Sequence, residues 1–335
     1  MEMPKIVKYL ILFFAAIGVM PVCLHAQTNL SAIPRIDVHA HVKTLENMAN
    51  YIKVRETIKN EFNADLAMWI NLSSPLGLRG EGLEFLQEVE EKYQGRFMTC
   101  LTNHDIAKGL KFSPEEVCEW MDRGVIGYKI WVGVTPAIDH PANDATLTKM
   151  EQIGLPGASV HISQPYPTSW CECPVHFWQA QYAWQRVLDR HPDLIVVNAH
   201  MLDFFYSDEQ LDHLKYMLAT YPNLNVDLAA RFKQFNRMDY EKLRKFIIKY
   251  ADRILFGTDI GEVDDKDIEN IAERYHRCFL LLETDKEVKG GFFGRHNLKG
   301  LDLPYDVLEK IYYKNAMRIY PRVKETLTNL GYTVE

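Results

Sequence analysis

The chain has 335 residues and a formal net charge of −7. Its length suffices for one large core or two small ones, and apolar and charged fractions of 47% and 25% are those of a globular protein. No basic run stands out, which argues against a nucleic-acid groove, because such a groove needs clustered Lys and Arg.

The first 26 residues read as an export signal outside the fold. Lys5 and Lys8 form a short positive region, and Tyr9 to Val19 is an apolar run too short and wrongly flanked for a typical spanning helix. Leu24-His25-Ala26 puts a small residue before Gln27, where cleavage is expected. Cys23 raises lipid anchoring as an alternative, for which Met20-Pro21-Val22 is a poor lead-in. The expectation is a periplasmic or secreted mature chain, one domain over 27–335, with no membrane span. Cys100, Cys118, Cys171, Cys173 and Cys278 remain in it; the odd count leaves a thiol unpaired in a monomer, and Cys171-x-Cys173 lacks the second pair of a zinc ribbon.

From Gln27 onward, apolar runs alternate with helical patterns. Strands are expected at Ile36 to Ala40, Ala64 to Ile70, Phe97 to Leu101, Val125 to Val132, Ala158 to Ile162, Leu194 to Ala199, Leu224 to Leu228 and Arg253 to Gly257. Helices are expected between them: a polar one from about Lys43 to Glu61, Gly82 to Tyr93, a Ser113-capped one with Pro114 at its first position, Leu147 to Ile153, Phe177 to Arg190, one capped by Ser207, and Tyr240 to Tyr250. Strand starts recur about every thirty residues, eight times, which predicts a parallel sheet closed into a (β/α)8 TIM barrel in preference to an open doubly wound sheet. No Gly-x-Gly-x-x-Gly follows the first strand, so a dinucleotide site is not expected. Beyond Glu262 come an amphipathic helix from about Lys266, a Gly-rich piece at Lys289 to Gly300 and a closing helix from Pro304 to Tyr320, read as an extension of the same domain.

Chemistry-bearing residues sit where strands end. Asp37, His39 and His41 alternate onto one face of the first strand, so two imidazoles stand close enough to chelate one borderline metal. His161 lies on the fifth strand, His200 ends the sixth and Asp259 follows the eighth, all at the barrel end where active sites are built.

In these pieces the chain resembles the metal-dependent amidohydrolase superfamily, amidohydrolase-2 branch, whose members include hydrolases and aminocarboxymuconate-semialdehyde decarboxylase. The matching stretches are Ile36-Asp37-Val38-His39-Ala40-His41, Val160-His161, Asn198-Ala199-His200, Leu255-Phe256-Gly257-Thr258-Asp259 and Asn315-Ala316. The resemblance implies that His39, His41, His161 and Asp259 hold one divalent metal, with zinc expected, that His200 lies beside it, and that Asp259 also shuttles protons. Such a metal lowers the pKa of water and polarises a carbonyl, and a neighbouring carboxylate moves the proton. Lys129, in Gly127-Tyr128-Lys129-Ile130-Trp131, has two readings: carboxylated and bridging a second metal, as in other branches, or unmodified and paired with an acidic substrate group or Asp259.

Trp131, His104 (beside Asp105), Trp170 and Arg231 complete the expected substrate-binding residues. Trp170 lies in the aromatic-rich segment Ser163 to His176, expected over the barrel mouth. Arg231 suits a substrate carboxylate but can equally pair with Asp227 or Glu262. Asp37 is expected to hydrogen-bond near the strand and orient the histidines. The function expected is hydrolysis of a small ester, lactone or amide by metal-activated water. The alternatives are non-oxidative decarboxylation of a small unsaturated or aromatic acid, and a barrel that binds without turnover. Partners expected are a small-molecule substrate and a second copy in a homodimer, with no nucleic acid. The decarboxylases of the branch place an acidic residue soon after His-x-His; here Val42-Lys43-Thr44 follows, and Glu46 comes later.

Overall fold

The computed structural model describes residues 30–73, 81–102, 110–132, 137–162, 173–290 and 296–334. The export signal expected at 1–26, His104, Asp105, Trp170 and most of the Ser163 to His176 segment lie outside the described residues.

Short apolar runs form the strands, and capped amphipathic runs form the helices that return the chain to the next strand. In chain order these are β1 Arg35–Ala40, α1 Leu45–Phe62, β2 Leu66–Asn71, α2 Glu81–Tyr93, β3 Phe97–Thr99, β4 Leu101–Thr102, α3 Pro114–Asp122, β5 Tyr128–Val132, α4 Pro141–Ile153, β6 Gly157–Ile162 and α5 Pro174–Arg190. They continue with β7 Val196–Asn198, α6 Asp208–Thr220, β8 Leu224–Asp227, α7 Tyr240–Lys249, β9 Ile254–Leu255 and α8 Ile268–Glu283. The expected Ser113 cap of α3 forms a full capping box with Glu116, and Ser207 caps α6 through the N–H of Gln210.

All strands from β1 to β9 pair in parallel, in the order β1-β2-β3 and β4 to β9. Nearly every strand residue is buried, as expected for parallel strands covered by helices outside and by side chains inside. The third expected strand is divided at Cys100, whose N–H donates to Asn71 O (3.1 Å), while that of Leu101 donates to Gly127 O (2.9 Å). One run thus serves both sheets. At the opposite seam Val38 N–H donates to Phe256 O (3.0 Å), Asp259 N–H to His39 O (3.0 Å) and His41 N–H to Ile260 O (3.0 Å). The architecture is that of the expected (β/α)8 barrel, with irregular backbone hydrogen bonds rather than regular ladders at its seams.

Three expectations need correction. Helix α4 starts at Pro141, capped by the His140 side chain, not at Leu147. Its polar first turn hid it: Asn143 turns inward and donates to Ala137 O and Ile138 O. The closing helix is interrupted, running as α9 Tyr305–Glu309, a π turn Lys310–Lys314 and α10 Asn315–Ile319. The π turn has a cause: Ile311 O accepts from Phe256 N–H (2.9 Å), and Asn315 Nδ2 donates to Ala251 O and Ile254 O, so the helix docks onto β9. Helix α11, Val323–Asn329, was not expected.

The barrel's lower end is held by a buried ion pair. Arg35, the first residue of β1, donates through Nε and Nη2 to Glu283 Oε1 at 3.1 and 2.6 Å. Its guanidinium lies 4.6 and 4.9 Å from the Phe279 and Tyr312 ring centres, and Tyr312 OH donates to the same Glu283 oxygen. Glu283→Ala leaves this buried guanidinium without a counter-charge, held by Ile33 O and Leu30 O, and is expected to cost about 3–5 kcal/mol of stability. Urea unfolding measures it, and a loss below about 1 kcal/mol would show that the pair does not hold the barrel base.

Candidate active site

The period-two alternation of β1 brings Asp37 and His39 to one side, with His41 just beyond the strand. Asp37 sits deepest. Its Oδ1 accepts the N–H groups of His39 (3.0 Å) and Thr258 (3.1 Å), and its Oδ2 accepts Thr258 Oγ1 (2.5 Å) and Tyr275 OH (2.6 Å). It therefore orients the backbone that carries His39 and Asp259 rather than an imidazole ring. Burial pushes the Asp37 carboxyl up to about 6 despite these donors. Gly257 permits the close approach here, since a Cβ would stand 3.0 Å from that of His39.

His39 is set from the other side of the barrel. Its Nδ1 lies 2.8 Å from Asp227 Oδ2 at the end of β8. A carboxylate accepts only, so Nδ1 carries a proton and Nε2 is the nitrogen left to bind a ligand. That buried Nε2 has no hydrogen-bond partner and faces Asp259 Oδ1 at 3.5 Å. His41 Nε2 approaches the same Asp259 oxygen at 3.0 Å, with its Nδ1 2.6 Å from Ser73 Oγ. When the hydroxyl of Ser73 donates to Nδ1, Nε2–H donates to Asp259; when it accepts from Nδ1–H, Nε2 is free for a ligand.

His200 follows β7 on an unusual turn. His200, Met201, Leu202 and Asp203 have φ of 58°, 56°, 58° and 59°, a run of left-handed residues none of which is glycine. Such backbone costs roughly 1–2 kcal/mol per residue. The N–H of His200 donates to Asp227 Oδ1 (2.8 Å), and its Nδ1 donates to Ala229 O (2.9 Å), so Nε2 again carries the lone pair. His161, on β6, stacks on Trp131 with ring centres 4.5 Å apart and meets His200 edge-on at 4.7 Å. The rings of His39 and His200 are 4.9 Å apart, those of His39 and His41 5.1 Å.

The structure thus gathers His39, His41, His161, His200 and Asp259 at one rim. The tightest set is His39, His200 and Asp259, one ligand atom from each lying within 4.8 Å of the others. His200, expected beside a metal, therefore stands within the range of a ligand. Burial first, and then the charge of Lys129, lowers the pKa of His41 to about 4. Burial also holds His161 and His200 well below the usual imidazole range. Burial works to raise Asp259, but the His41 hydrogen bond and the neighbouring imidazoles hold its carboxyl far below the usual range. Neutral imidazoles around an ionised carboxylate, with a buried lone pair of His39 unanswered, form a donor set that suits a divalent cation.

Lys129 and Trp131 point the same way from β5, with Nζ 4.5 Å from the indole centre. Lys129 is buried, and burial lowers its pKa to about 8 against the pull of Asp259 and Asp227. Arg231 pairs with neither Asp227 nor Glu262, as expected of it if structural. Its Nη2 lies 2.5 Å from Asp203 Oδ1 and its Nε 2.9 Å from His200 O, while Glu262 reaches Lys43. Asp203, Tyr275 and Ser73 were not singled out in the sequence, Thr258 entered only within a matching stretch, and Asp227 only as a possible partner of Arg231. Asp227 alone had a legible signal, an acidic residue closing an apolar strand.

The family model described as amidohydrolase matches residues 113–322, more than half of the chain. The chain belongs to the amidohydrolase family. The family is metal-dependent, and the His39, His200 and Asp259 set is a candidate site for the ion. An uncharacterised TIM-barrel protein from Bordetella bronchiseptica is similar at a TM-score of 0.52, with 15% identity over 89% of this chain and 99% of that one. A dihydroxybenzoic acid decarboxylase from Polaromonas sp. JS666, solved with manganese and 2-nitroresorcinol, is similar at 0.50, with 15% identity over 90% and 99%. At that identity both show the fold alone. No curated protein matches the chain.

Asp227 acts as the outer carboxylate that fixes His39. Asp227→Asn is expected to weaken divalent-metal affinity about 10–100-fold. Competition with a chromophoric chelator measures it, and an unchanged affinity would remove that role from Asp227.

Proposed function

We propose that this chain is an exported hydrolase that uses one zinc ion to cleave a small ester, lactone or amide. The observation that carries this reading is the convergence of His39 and His41 on one oxygen of Asp259, with the lone-pair nitrogen of His200 on the same rim. His39, His41, His161 and Asp259 would hold the ion. When bound, it supplies Lewis acidity, polarising a substrate oxygen and lowering the pKa of a water in the site. Asp259 takes a proton from the attacking water and returns it to the leaving group. His200, its Nδ1 committed to Ala229 O, offers Nε2 as a proton acceptor. Trp131 supplies an apolar wall for the substrate beside His161. The signal-like first 26 residues support export.

Decarboxylation is the second reading, and Lys129 favours it. A buried ammonium is costly unless an anion answers it, and among the described residues no carboxylate lies within ion-pair distance of its Nζ. An acidic substrate group would supply that anion.

A screen of the zinc-loaded protein against lactones, N-acyl compounds and aromatic carboxylates decides between these readings. Hydrolysis supports the first, and carbon dioxide release without hydrolysis the second. Asp259→Asn is expected to abolish turnover in either case; a variant that keeps its rate would strip Asp259 of its role. His200→Asn is expected to lose turnover while retaining zinc by elemental analysis, and loss of the zinc would instead place His200 among the ligands. Lys129→Met is expected to weaken binding of a carboxylate substrate tenfold or more, about 1.5–3 kcal/mol for a charged hydrogen bond, while a neutral substrate is unaffected. Equal effects on both would exclude an anion-binding role for Lys129.

A further inference from the structure

We infer that Asp203 and Arg231 are positioning residues for His200: one guanidinium clasps both ends of the left-handed turn and keeps the imidazole aimed at the rim. The inference rests on the reading of His200 as a site residue.

The turn spans His200 to Asp203, and each of its residues has a Cβ that disfavours φ near 60°. His200 and Asp203 are residue types that tolerate this region better than most, but nothing local favours it at Met201 and Leu202, and no glycine lies in the turn. Contacts from elsewhere must hold it. Asp227 and Ala229 secure the N–H and Nδ1 of His200, and Gln181 Nε2 donates to Leu202 O (3.2 Å). Arg231 alone among these reaches both ends, with Nε on His200 O at 2.9 Å and Nη2 on Asp203 Oδ1 at 2.5 Å. Both partners are buried, and the guanidinium is covered by the Tyr206 ring at 5.1 Å. Asp203 Oδ2 is buried without a hydrogen-bond partner, so this carboxylate is held by Arg231 and by nothing else that the structure describes. A buried carboxylate with one partner does little for stability by itself; here it completes a fork of fixed geometry that a lysine cannot reproduce. Because Ala230 is also left-handed (φ 56°), Arg231 is presented from a second constrained bend. The two bends and the ion pair link the chain just past β7 to the chain just past β8, and His200 is the first residue of the linked segment.

The test separates backbone positioning from charge. Asp203→Ala removes the clasp and leaves the Cβ strain at position 203, whereas Asp203→Gly removes the clasp and the strain at that one position, because glycine adopts positive φ freely. The readout is the nitrogen-15 signature of His200, assigned by its loss in His200→Gln, together with the exchange rate of its Nδ1 proton. Wild type is expected to show the Nδ1-protonated tautomer. Asp203→Ala is expected to mix tautomers and to speed exchange at least tenfold. Asp203→Gly should stay within about threefold of wild type, and Asp203→Asn, which keeps an acceptor for Nη2, should do the same. A wild-type signature in Asp203→Ala, or equal disturbance in the alanine and glycine variants, overturns the inference. If Asp203→Ala does not fold, the same comparison runs between Arg231→Lys, expected to disturb the signature, and Arg231→Lys/Asp203→Gly, expected to recover it; no recovery overturns the inference. Zinc affinity measured on the same samples keeps the two readings apart. A wild type that binds no zinc would remove the proposed function and leave the tautomer comparison intact.

Discussion

Asp227 carries two loads with one carboxylate. Its Oδ2 accepts a hydrogen bond from Nδ1 of His39, on β1, while its Oδ1 accepts the backbone N–H groups of His200, just past β7, and of Ala229, just past its own strand. Burial alone would raise its pKa, yet His39 and these donors hold it below the usual carboxylate range. An ionised carboxylate in such a place is tolerable only when its lone pairs are answered, and here every answering group belongs to the site or its frame. The tautomer of His39, the location of His200 and the course of the chain after β8 are therefore set by one group. Asp37 does the equivalent for the other half of the rim, tying β1 to Thr258 and through it to Asp259. Two buried carboxylates, neither facing the substrate side, turn strand ends from different parts of the chain into one frame.

The rim also concentrates backbone strain. Four residues of the His200 turn, Ala230 and Asp259 (φ 63°) all occupy the left-handed region. Side chains avoid it unless the surroundings over-determine the conformation. The surroundings do so here through hydrogen bonds that end on the same few groups: Asp227, Ala229 O and Arg231. Packing adds to this, since Met201 and Leu202 of the turn, and Phe205 just after it, are fully buried. A helical or extended continuation of β7 would carry His200 away from His39, so the strain and the geometry of the site are the same fact.

The fold was legible because its signal is repetitive. Eight apolar runs at near-even spacing leave few alternatives to a barrel, and Ser113-Pro114 or Ser207-Asp208 mark helix starts by a local mechanism. What escaped was non-local. The break at Cys100 arises because one run must bond to two neighbours, and the π turn arises because Phe256 takes a helix carbonyl. The site was readable to the extent that its residues end strands: His39, His41, His161, His200 and Asp259 do, and they meet. Their supports do not share that mark. Tyr275 comes from a helix beyond the last strand, and Asp203 lies within a turn that nothing in its own sequence predicts. The partner of Arg231 was missed for the same reason: sequence proximity to β8 suggested Asp227, whereas the left-handed turn delivers Asp203.

Stability and chemistry occupy opposite ends of this barrel, and their charges are handled differently. At the lower end Arg35 and Glu283 neutralise each other between two aromatic rings, a closed arrangement with nothing left to bind. At the upper end the charges do not cancel pairwise. Asp259 faces the imidazoles of His39 and His41, burial lowers the pKa of His41, and Lys129 faces an indole. An ionised group in a low-dielectric site without its counter-charge is unstable unless a ligand completes it. The carboxylate, just past β9, calls for a cation and the ammonium, on β5, for an anion, at one rim. A cation bound through its ligands and an anionic or polarised substrate oxygen drawn toward Lys129 satisfy both at once, which is the arrangement that a metal-dependent reaction at an oxygen requires.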